Sequence, residues 1–283
     1  MKLKEVFEKS VQFFKDKKYE SPRLDAELLI SHALKLERVQ LYLKYEQPLN
    51  EAEIQTCRDA VRRRGLGEPV AYITMEKGFF GEMFAVGEGV LVPRPETELI
   101  VEEALNFIKA NSIKEPKILD LGSGTGCIGF SILKNCENAT LVSVEKSEQA
   151  FKFLSMNQTK LNLADRSELI LADVMGVDLS TSKFDIIVAN PPYIAENDTQ
   201  TEPNVKKYEP HQALFAGAEG YVALFNWSQK YKDQLNTPGL LLFEMGHLQA
   251  QKLKQHFEGF NQFSGVKVLK DLSGLDRIIM GVQ

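Results

Sequence analysis

The spacing of apolar residues changes once along the chain, and this change divides the sequence into two parts. In residues 1–70 the apolar positions recur near helical spacing, as Leu3, Phe7 and Phe14 do, which predicts helices with one buried face. From residue 94 onward, short apolar runs alternate with longer mixed stretches, which predicts strands alternating with helices in a doubly wound α/β sheet. The seven predicted strands lie near 117–121, 140–144, 168–172, 184–189, 239–244, 266–270 and 277–281.

Residues with defined roles at helix and strand ends mark the boundaries of these elements. Ser21 followed by Pro22 predicts a helix start, and Asn50 with Glu53 predicts a capping arrangement. A glycine- and aromatic-rich stretch then indicates a β-hairpin connector. A short link between the last two strands predicts a terminal hairpin with an antiparallel edge strand. The expected organisation is a small all-helical domain (1–70), a hairpin connector (71–93) and a sheet domain (94–283).

Composition narrows the functional class. The 283 residues have a net charge of −5, whereas DNA enzymes usually carry a basic footprint. The one dense basic run, Arg62–Arg64, suits a helix C-terminus or contact with an acidic protein face. No apolar run could span a bilayer, and the N-terminus has no signal-peptide core, so we expect a cytoplasmic protein without membrane contact. Three cysteines lack paired spacing and four histidines are scattered, so neither a disulfide framework nor a metal is expected.

A glycine-rich turn is the first candidate for binding chemistry. The strand at Lys117–Leu121 leads directly into Gly122-Ser-Gly-Thr-Gly126 and then into an apolar helix. Such a turn lets a ligand approach the backbone closely, and Glu145, about twenty residues on, could hold the two ribose hydroxyls of that ligand. A nicotinamide cofactor and S-adenosylmethionine both fit, although the spacing disfavours a pyrophosphate. Asp120 could receive an amino group, and Asp173 follows a strand where adenine or its ribose would lie.

The second candidate is the tetrapeptide Asn190-Pro191-Pro192-Tyr193, which follows the apolar run Phe184–Ala189. Prolines fix φ and remove backbone donors, so this is a stiff turn offering carbonyl acceptors, one amide and one ring face. Those groups suit a flat NH2 group whose lone pair is conjugated. A simple turn or a proline-rich ligand motif is the alternative interpretation. The position after a buried strand, downstream of the glycine loop, favours a functional site.

These two motifs resemble those of class I S-adenosylmethionine-dependent methyltransferases. Asp-Leu-Gly-Ser-Gly-Thr-Gly is similar to their cofactor loop, and Asn-Pro-Pro-Tyr to the signature of members that methylate amide or exocyclic amino nitrogens. Further segments are similar to the release factor glutamine methyltransferase family (PrmC/HemK), in order and over nearly the whole chain. They are 67–73, 79–81, 90–98, 208–210 and 276–281. The resemblance implies N5-methylation of the glutamine in the Gly-Gly-Gln motif of bacterial class 1 peptide-chain release factors 1 and 2.

The resemblance also implies roles for individual residues. Cofactor binding would fall on Gly122, Ser123, Gly124, Thr125, Gly126, Glu145, Asp173, Val174 and Asn190. Asn190, Pro191, Pro192 and Tyr193 would bind the substrate glutamine, with Asn190, Pro191 and Tyr193 taking part in catalysis. Some relatives carry an aromatic residue where this chain has Val174, which cannot stack on adenine in the same way. The segment Pro93–Glu98 would lie beside the methionine end of the cofactor, or simply begin a helix.

Three hypotheses follow. The first is a monomeric glutamine methyltransferase whose helical domain docks the release factor. The second is an N6-adenine or N4-cytosine nucleic-acid methyltransferase, which shares the Asn-Pro-Pro-Tyr signature. The third is a catalytically silent cofactor-binding partner. The acidic charge and the helical domain favour the first over the second, and the complete set of motifs disfavours the third.

Overall fold

The computed structural model describes residues 1–283 and separates them into two units. Unit 1 comprises Met1–Glu76 together with Pro203–Tyr208, and unit 2 comprises Lys77–Glu202 and Glu209–Gln283. The chain therefore leaves unit 2 after Glu202 and returns to it at Glu209, an excursion that the sequence pattern does not reveal. None of the helices is long and apolar enough to cross a membrane.

Unit 1 consists of helices around their own apolar core. They are α1 (Leu3–Asp16), α2 (Pro22–Leu34), α3 (Arg38–Leu43), α4 (Glu51–Gly65), α5 (Val70–Thr74) and the short α9 (Pro203–Tyr208). The predicted helical spacing is confirmed, because Leu3, Phe7 and Phe14 all lie in the core. The capping box at α4 is also confirmed, since Asn50 Oδ1 accepts from the Glu53 N–H at 2.9 Å and Glu53 Oε2 accepts from the Asn50 N–H at 2.8 Å.

The basic run forms the last turn of α4, where cations interact favourably with the helix dipole. Arg64 donates to Asp25 Oδ2 at 2.8 Å and lies over the ring of Tyr19, 3.9 Å from its centroid. Arg63 is paired with Glu68. These two guanidinium groups therefore stabilise unit 1 itself.

Unit 2 is built on a seven-stranded sheet, which confirms the predicted fold class. A small hairpin, β1 (Glu76–Phe79) with β2 (Glu82–Ala85), precedes it. The sheet strands are β3 (Lys117–Leu121), β4 (Thr140–Glu145), β5 (Ser167–Leu171), β6 (Phe184–Ala189), β7 (Leu235–Glu244), β8 (Gly265–Lys270) and β9 (Asp276–Val282). The helices are α6 (Glu98–Ala110), α7 (Cys127–Asn135), α8 (Glu148–Lys160), α10 (His211–Leu214), α11 (Val222–Tyr231) and α12 (Ala250–Glu258).

Apolar cores cover both faces of this sheet. Ile118 and Ile186 point into the core formed with α6, α7 and α8, whereas Leu119 and Ile187 point into the core formed with α11 and α12. Strands that are buried on both faces have nearly continuous apolar sequences, which explains why their positions were predicted within a few residues.

The strand order is β5-β4-β3-β6-β7-β9-β8, with β9 antiparallel to both of its neighbours. The predicted antiparallel hairpin is confirmed, although β9 is inserted one position in from the edge and β8 is the edge strand. The chain order reverses between β3 and β6, and an open parallel sheet has a crevice at that point, outside the carboxyl ends of its strands. The loops after β3, β4, β6 and β7 all begin at this edge.

Candidate functional site

The glycine loop begins where β3 ends. Its three glycines, Gly122, Gly124 and Gly126, have φ values of +70°, +56° and +80°, a conformation that residues with side chains adopt at a cost. The Gly122 N–H donates to the Val144 carbonyl at 2.8 Å, which ties the loop to β4. The sequence therefore forms a tight turn at this position because glycine alone adopts these angles readily.

Glu145, at the end of β4, connects the glycine loop to the next helix. Its Oε2 accepts from the Gly124 N–H at 2.9 Å, and its Oε1 accepts from the Ser147 N–H at 2.8 Å. Ser147 in turn caps α8 by accepting from the Ala150 N–H. Each carboxylate oxygen has two acceptor positions, so both retain capacity for another donor.

A pocket that is open to solvent lies beside these two elements. Eight of the predicted site residues line it: Gly122, Ser123, Gly124, Thr125, Glu145, Val174, Asn190 and Pro192. The glycine loop and the Asn-Pro-Pro-Tyr turn, far apart in sequence, therefore share one cavity.

The Asn-Pro-Pro-Tyr turn leaves the sheet at the end of β6 and places its residues in different surroundings. The Asn190 side chain lines the pocket and donates from Nδ2 to Thr97 Oγ1 at 3.3 Å. The Tyr193 hydroxyl donates to Glu244 Oε1 at 3.1 Å, and burial raises the pKa of Tyr193. The Tyr193 ring is not among the groups that line the pocket and packs against the apolar core, so its predicted stacking on the substrate stays a prediction.

The segment Pro93–Glu98 contributes to the same pocket through Pro93, Arg94 and Thr97. Its position is maintained by Glu209, which pairs with Arg94 and also accepts from the Val92 N–H at 3.1 Å. The Glu209 side chain is almost completely buried, and a buried carboxylate needs such partners. Two of the family-like segments, 90–98 and 208–210, are therefore joined by Glu209.

Several residues to which the sequence assigned a binding role lie elsewhere. Asp120 is fully buried beneath the loop, where its Oδ2 accepts from the Gly129 N–H at 3.2 Å and burial raises its pKa to about 7. It does not line the pocket, so the amino-group contact considered for it has no support in this arrangement. Asp173 is exposed and caps its own turn by accepting from the Met175 N–H at 2.7 Å. Gly126, Asp173, Pro191 and Tyr193 are absent from the pocket lining, and their roles stay predictions.

Two residues at the site were missed by sequence reasoning. Trp227, the only tryptophan, lies on α11 and lines the pocket, and its ring would be 2.9 Å from a Cβ placed on Gly122. Glu244 ends β7 with 1% of its surface exposed, and burial raises its pKa. A carboxylate that closes a strongly apolar strand was the available signal for Glu244, whereas the helix around Trp227 gave none.

Comparison with known families supports this architecture. Residues 5–74 match the PrmC N-terminal domain, and residues 97–221 match the Methyltransferase small domain. Among solved structures, the hMettl16 catalytic domain in complex with MAT2A 3'UTR hairpin 6 aligns with a TM-score of 0.56 at 14% identity, covering 75% of this chain and 79% of that one. The T. Thermophilus 16S rRNA N2 G1207 methyltransferase (RsmC), in complex with AdoMet and guanosine, gives 0.53 at 17% identity, covering 74% and 49%. At these identities the likeness establishes the methyltransferase fold.

Full-length relatives are more informative about the family. The release factor glutamine methyltransferase of Chlorobaculum tepidum is 36% identical over 282 residues, covering 96% of this chain and 94% of that protein. The release factor glutamine methyltransferase of Clostridium acetobutylicum is 32% identical over 285 residues, covering 100% and 99%. With this similarity along its whole length, and with a methyltransferase fold whose two motifs share one pocket, the chain belongs to the release factor glutamine methyltransferase family.

Proposed function

We propose that this protein transfers the methyl group of S-adenosylmethionine to the side-chain nitrogen, N5, of the glutamine in the Gly-Gly-Gln motif of peptide-chain release factors 1 and 2. The observation that carries the proposal is the shared pocket, in which Asn190 and Pro192 line the same cavity as the glycine loop and Glu145. Methyl transfer requires the cofactor and the acceptor nitrogen to meet, and these two motifs supply one binding element for each. We place the reaction in the cytoplasm, where translation factors act, and expect a monomeric enzyme.

The residues of the pocket fit this cofactor. Glu145 retains acceptor capacity for two ribose hydroxyls after its contacts with Gly124 and Ser147. Gly122 lets the loop lie against the ring of Trp227, because a side chain at this position would collide with that ring. Val174 and Trp227 add apolar walls, so an aromatic ring is present although position 174 itself carries none. We assign Trp227 and Val174 to the adenosine portion and Pro93–Thr97 to the methionine portion.

The chemistry then depends on orientation. When bound, S-adenosylmethionine supplies an electrophilic methyl group on its sulfonium. The chain must hold the glutamine nitrogen in line with that methyl group, and such positioning is a large source of rate. The Asn190 oxygen and the Pro191 carbonyl accept hydrogen bonds from the two N–H groups of the substrate amide. They also stabilise the positive charge that develops on its nitrogen. A strong general base is unnecessary, because the proton of the methylated amide becomes acidic and leaves to water.

Unit 1 is the candidate for docking the release factor. It has its own apolar core and matches the PrmC N-terminal domain over residues 5–74. On α3, Val39 and Leu43 are one helical turn apart and are 59% and 79% exposed, so unit 1 has apolar surface available for a protein partner.

The direct test is transfer of radiolabel from S-adenosylmethionine, with purified release factor and duplex DNA offered in parallel reactions. We expect label on the release factor, at the glutamine of Gly-Gly-Gln. Asn190→Ala should slow single-turnover transfer by about 10²–10³ and leave most of the cofactor affinity, by analogy with the loss of one preorganised donor from an oxyanion hole. Asn197→Ala is the matched control, because Asn197 is an exposed asparagine a few residues along the same segment.

Label on DNA alone would overturn the proposal in favour of the nucleic-acid alternative. Binding of the cofactor without transfer to either acceptor would favour a silent binding partner. Full activity of Asn190→Ala on the release factor would remove Asn190 from the mechanism while leaving the proposed substrate intact.

A further inference from the structure

Four side chains form a continuous chain of hydrogen bonds beside the pocket, which we name the relay: Asn190, Thr97, Glu244 and Tyr193. Asn190 Nδ2 donates to Thr97 Oγ1 at 3.3 Å, and the Thr97 hydroxyl donates to Glu244 Oε2 at 2.6 Å. The Tyr193 hydroxyl donates to the other carboxylate oxygen, Oε1, at 3.1 Å. Thr97 and Glu244 are 2% and 1% exposed, so water cannot substitute freely for these partners.

The relay has only one possible direction when Glu244 is charged. A carboxylate accepts hydrogen bonds and donates none, so both hydroxyls must point their protons at Glu244. A hydroxyl has a single proton, and Thr97 has therefore none left for Asn190. Only the NH2 end of the Asn190 amide can face Thr97, and the oxygen end stays free of any partner within the chain.

We infer that Thr97 and Glu244 are positioning residues that set the orientation of the Asn190 amide, so that its oxygen is available to the substrate nitrogen. This inference rests on the proposed function. The two ends of an asparagine amide have nearly the same size and shape, so packing alone distinguishes them poorly and hydrogen-bond polarity must do so. A reversed amide would present its own N–H groups to a nitrogen that also carries N–H bonds and gains positive charge during transfer.

The groups around Glu244 influence whether its carboxyl is charged, as the relay requires. Burial raises the pKa of Glu244, whereas the hydroxyls of Thr97 and Tyr193 and the nearby guanidinium of Arg277 on β9 lower it, and Glu96 raises it. Burial is the largest of these effects and the pKa of Glu244 is raised overall, while the two hydroxyls and Arg277 stabilise the charged form. A protonated carboxyl could donate to Thr97, whose hydroxyl would then point at Asn190 and favour the reversed amide. The direction of the relay thus follows the charge on Glu244.

Single substitutions test the relay without changing the shape of the site. Glu244→Gln supplies an NH2 that can donate to Thr97, which frees the hydroxyl proton for Asn190 and removes the preference for one orientation. We expect its kcat to fall about tenfold, with the Kd for S-adenosylmethionine changed less than twofold. The kcat of Thr97→Val should fall by a similar factor. The kcat of Thr97→Ser should be close to that of the wild type, because serine keeps the hydroxyl. Glu102→Gln, at an exposed carboxylate on α6, is the control for loss of charge.

A double variant distinguishes direction from simple packing. In Asn190→Asp, two carboxylates compete for the one proton of Thr97, and we expect roughly a 100-fold loss of kcat. Adding Glu244→Gln provides a donor to Thr97 and releases the hydroxyl proton for the carboxylate at position 190. The double variant should therefore be at least about tenfold faster than Asn190→Asp alone, although Glu244→Gln slows the wild type. Losses that multiply instead would overturn the relay.

A measurement without turnover guards against variants that fold poorly. The side-chain amide of Asn190, observed by ¹⁵N–¹H NMR, should show one hydrogen-bonded proton in the wild type, and this signal should move in Glu244→Gln and not in Glu102→Gln. Wild-type rates in both Glu244→Gln and Thr97→Val, in an assay where the wild type labels the release factor, would overturn the relay alone. Absence of any transfer by the wild type would instead overturn the proposed function and the relay with it.

Discussion

Removing the carboxylate of Glu145 should affect the glycine loop and cofactor affinity separately, and the two effects can be measured apart. In Glu145→Ala, the N–H groups of Gly124 and Ser147 lose their acceptor. Both residues line the pocket, so water can replace part of the lost contacts. We therefore expect a loss of about 1.5–3 kcal/mol in the free energy of unfolding, the value for one hydrogen bond to a charged group. The ribose loses the same acceptor, and a second 1.5–3 kcal/mol corresponds to roughly a 10- to 150-fold increase in Kd for S-adenosylmethionine.

Two further variants refine this expectation. Glu145→Gln keeps one acceptor oxygen but turns an NH2 toward either the Gly124 or the Ser147 N–H. Its free energy of unfolding should therefore fall by about half as much as that of Glu145→Ala. Glu145→Asp keeps the charge and both acceptor oxygens on a side chain one methylene shorter, so its loss of affinity should be smaller than that of Glu145→Ala. Glu148→Ala removes an exposed carboxylate from the first turn of α8 and is the matched control.

Calorimetric titration with S-adenosylmethionine measures affinity, and denaturant unfolding without the cofactor measures stability. An unchanged Kd for Glu145→Ala at a temperature where the variant is folded would refute the ribose assignment. If stability nevertheless fell, Glu145 would serve the loop alone. If both quantities stayed at the wild-type value, the two hydrogen bonds would contribute nothing measurable to stability and Glu145 would have no role in binding the cofactor.

Other predictions concern the core, the pocket wall and the docking surface. Asp120→Asn should flatten the pH dependence of stability. Because the pKa of Asp120 is raised to about 7 in the folded state, the wild type loses roughly 3 kcal/mol of stability between pH 5 and pH 8 as this buried carboxyl ionises. Denaturant unfolding of both proteins at pH 5 and pH 8 measures this difference. Cofactor binding should change the fluorescence of Trp227, and Trp227→Ala should weaken binding more than Trp227→Phe by calorimetry, equal affinities counting against an aromatic contact. Val39→Ser with Leu43→Ser should slow methylation of intact release factor and spare a short Gly-Gly-Gln peptide, whereas Leu272→Ser, at a fully exposed leucine of unit 2, should slow neither.

The amino-acid sequence determined the architecture because its signals are local. Strands buried on both faces need continuous apolar runs, and the runs at 117–121 and 184–189 coincide with the observed β3 and β6. The glycine loop and the Asn50 cap are likewise specified by residue types that few other conformations favour. The family followed from motifs at fixed spacing, which similarity to full-length relatives then confirmed.

Tertiary structure decided which residues meet, since this depends on strand order and not on neighbouring sequence. Asp120 and Glu145 are both acids at strand ends, yet the first is buried under the loop and the second lines the pocket. Trp227, on a helix with an ordinary pattern, becomes a wall of the site because α11 packs against β7 and its Trp227 ring lies next to Gly122, at the end of β3. Thr97 and Glu244 are 147 residues apart, and Glu244 is connected to Asn190 through Thr97 because β7 lies next to β6 in the sheet. A hydrogen-bond chain of this kind has no sequence period, so only the folded chain reveals it.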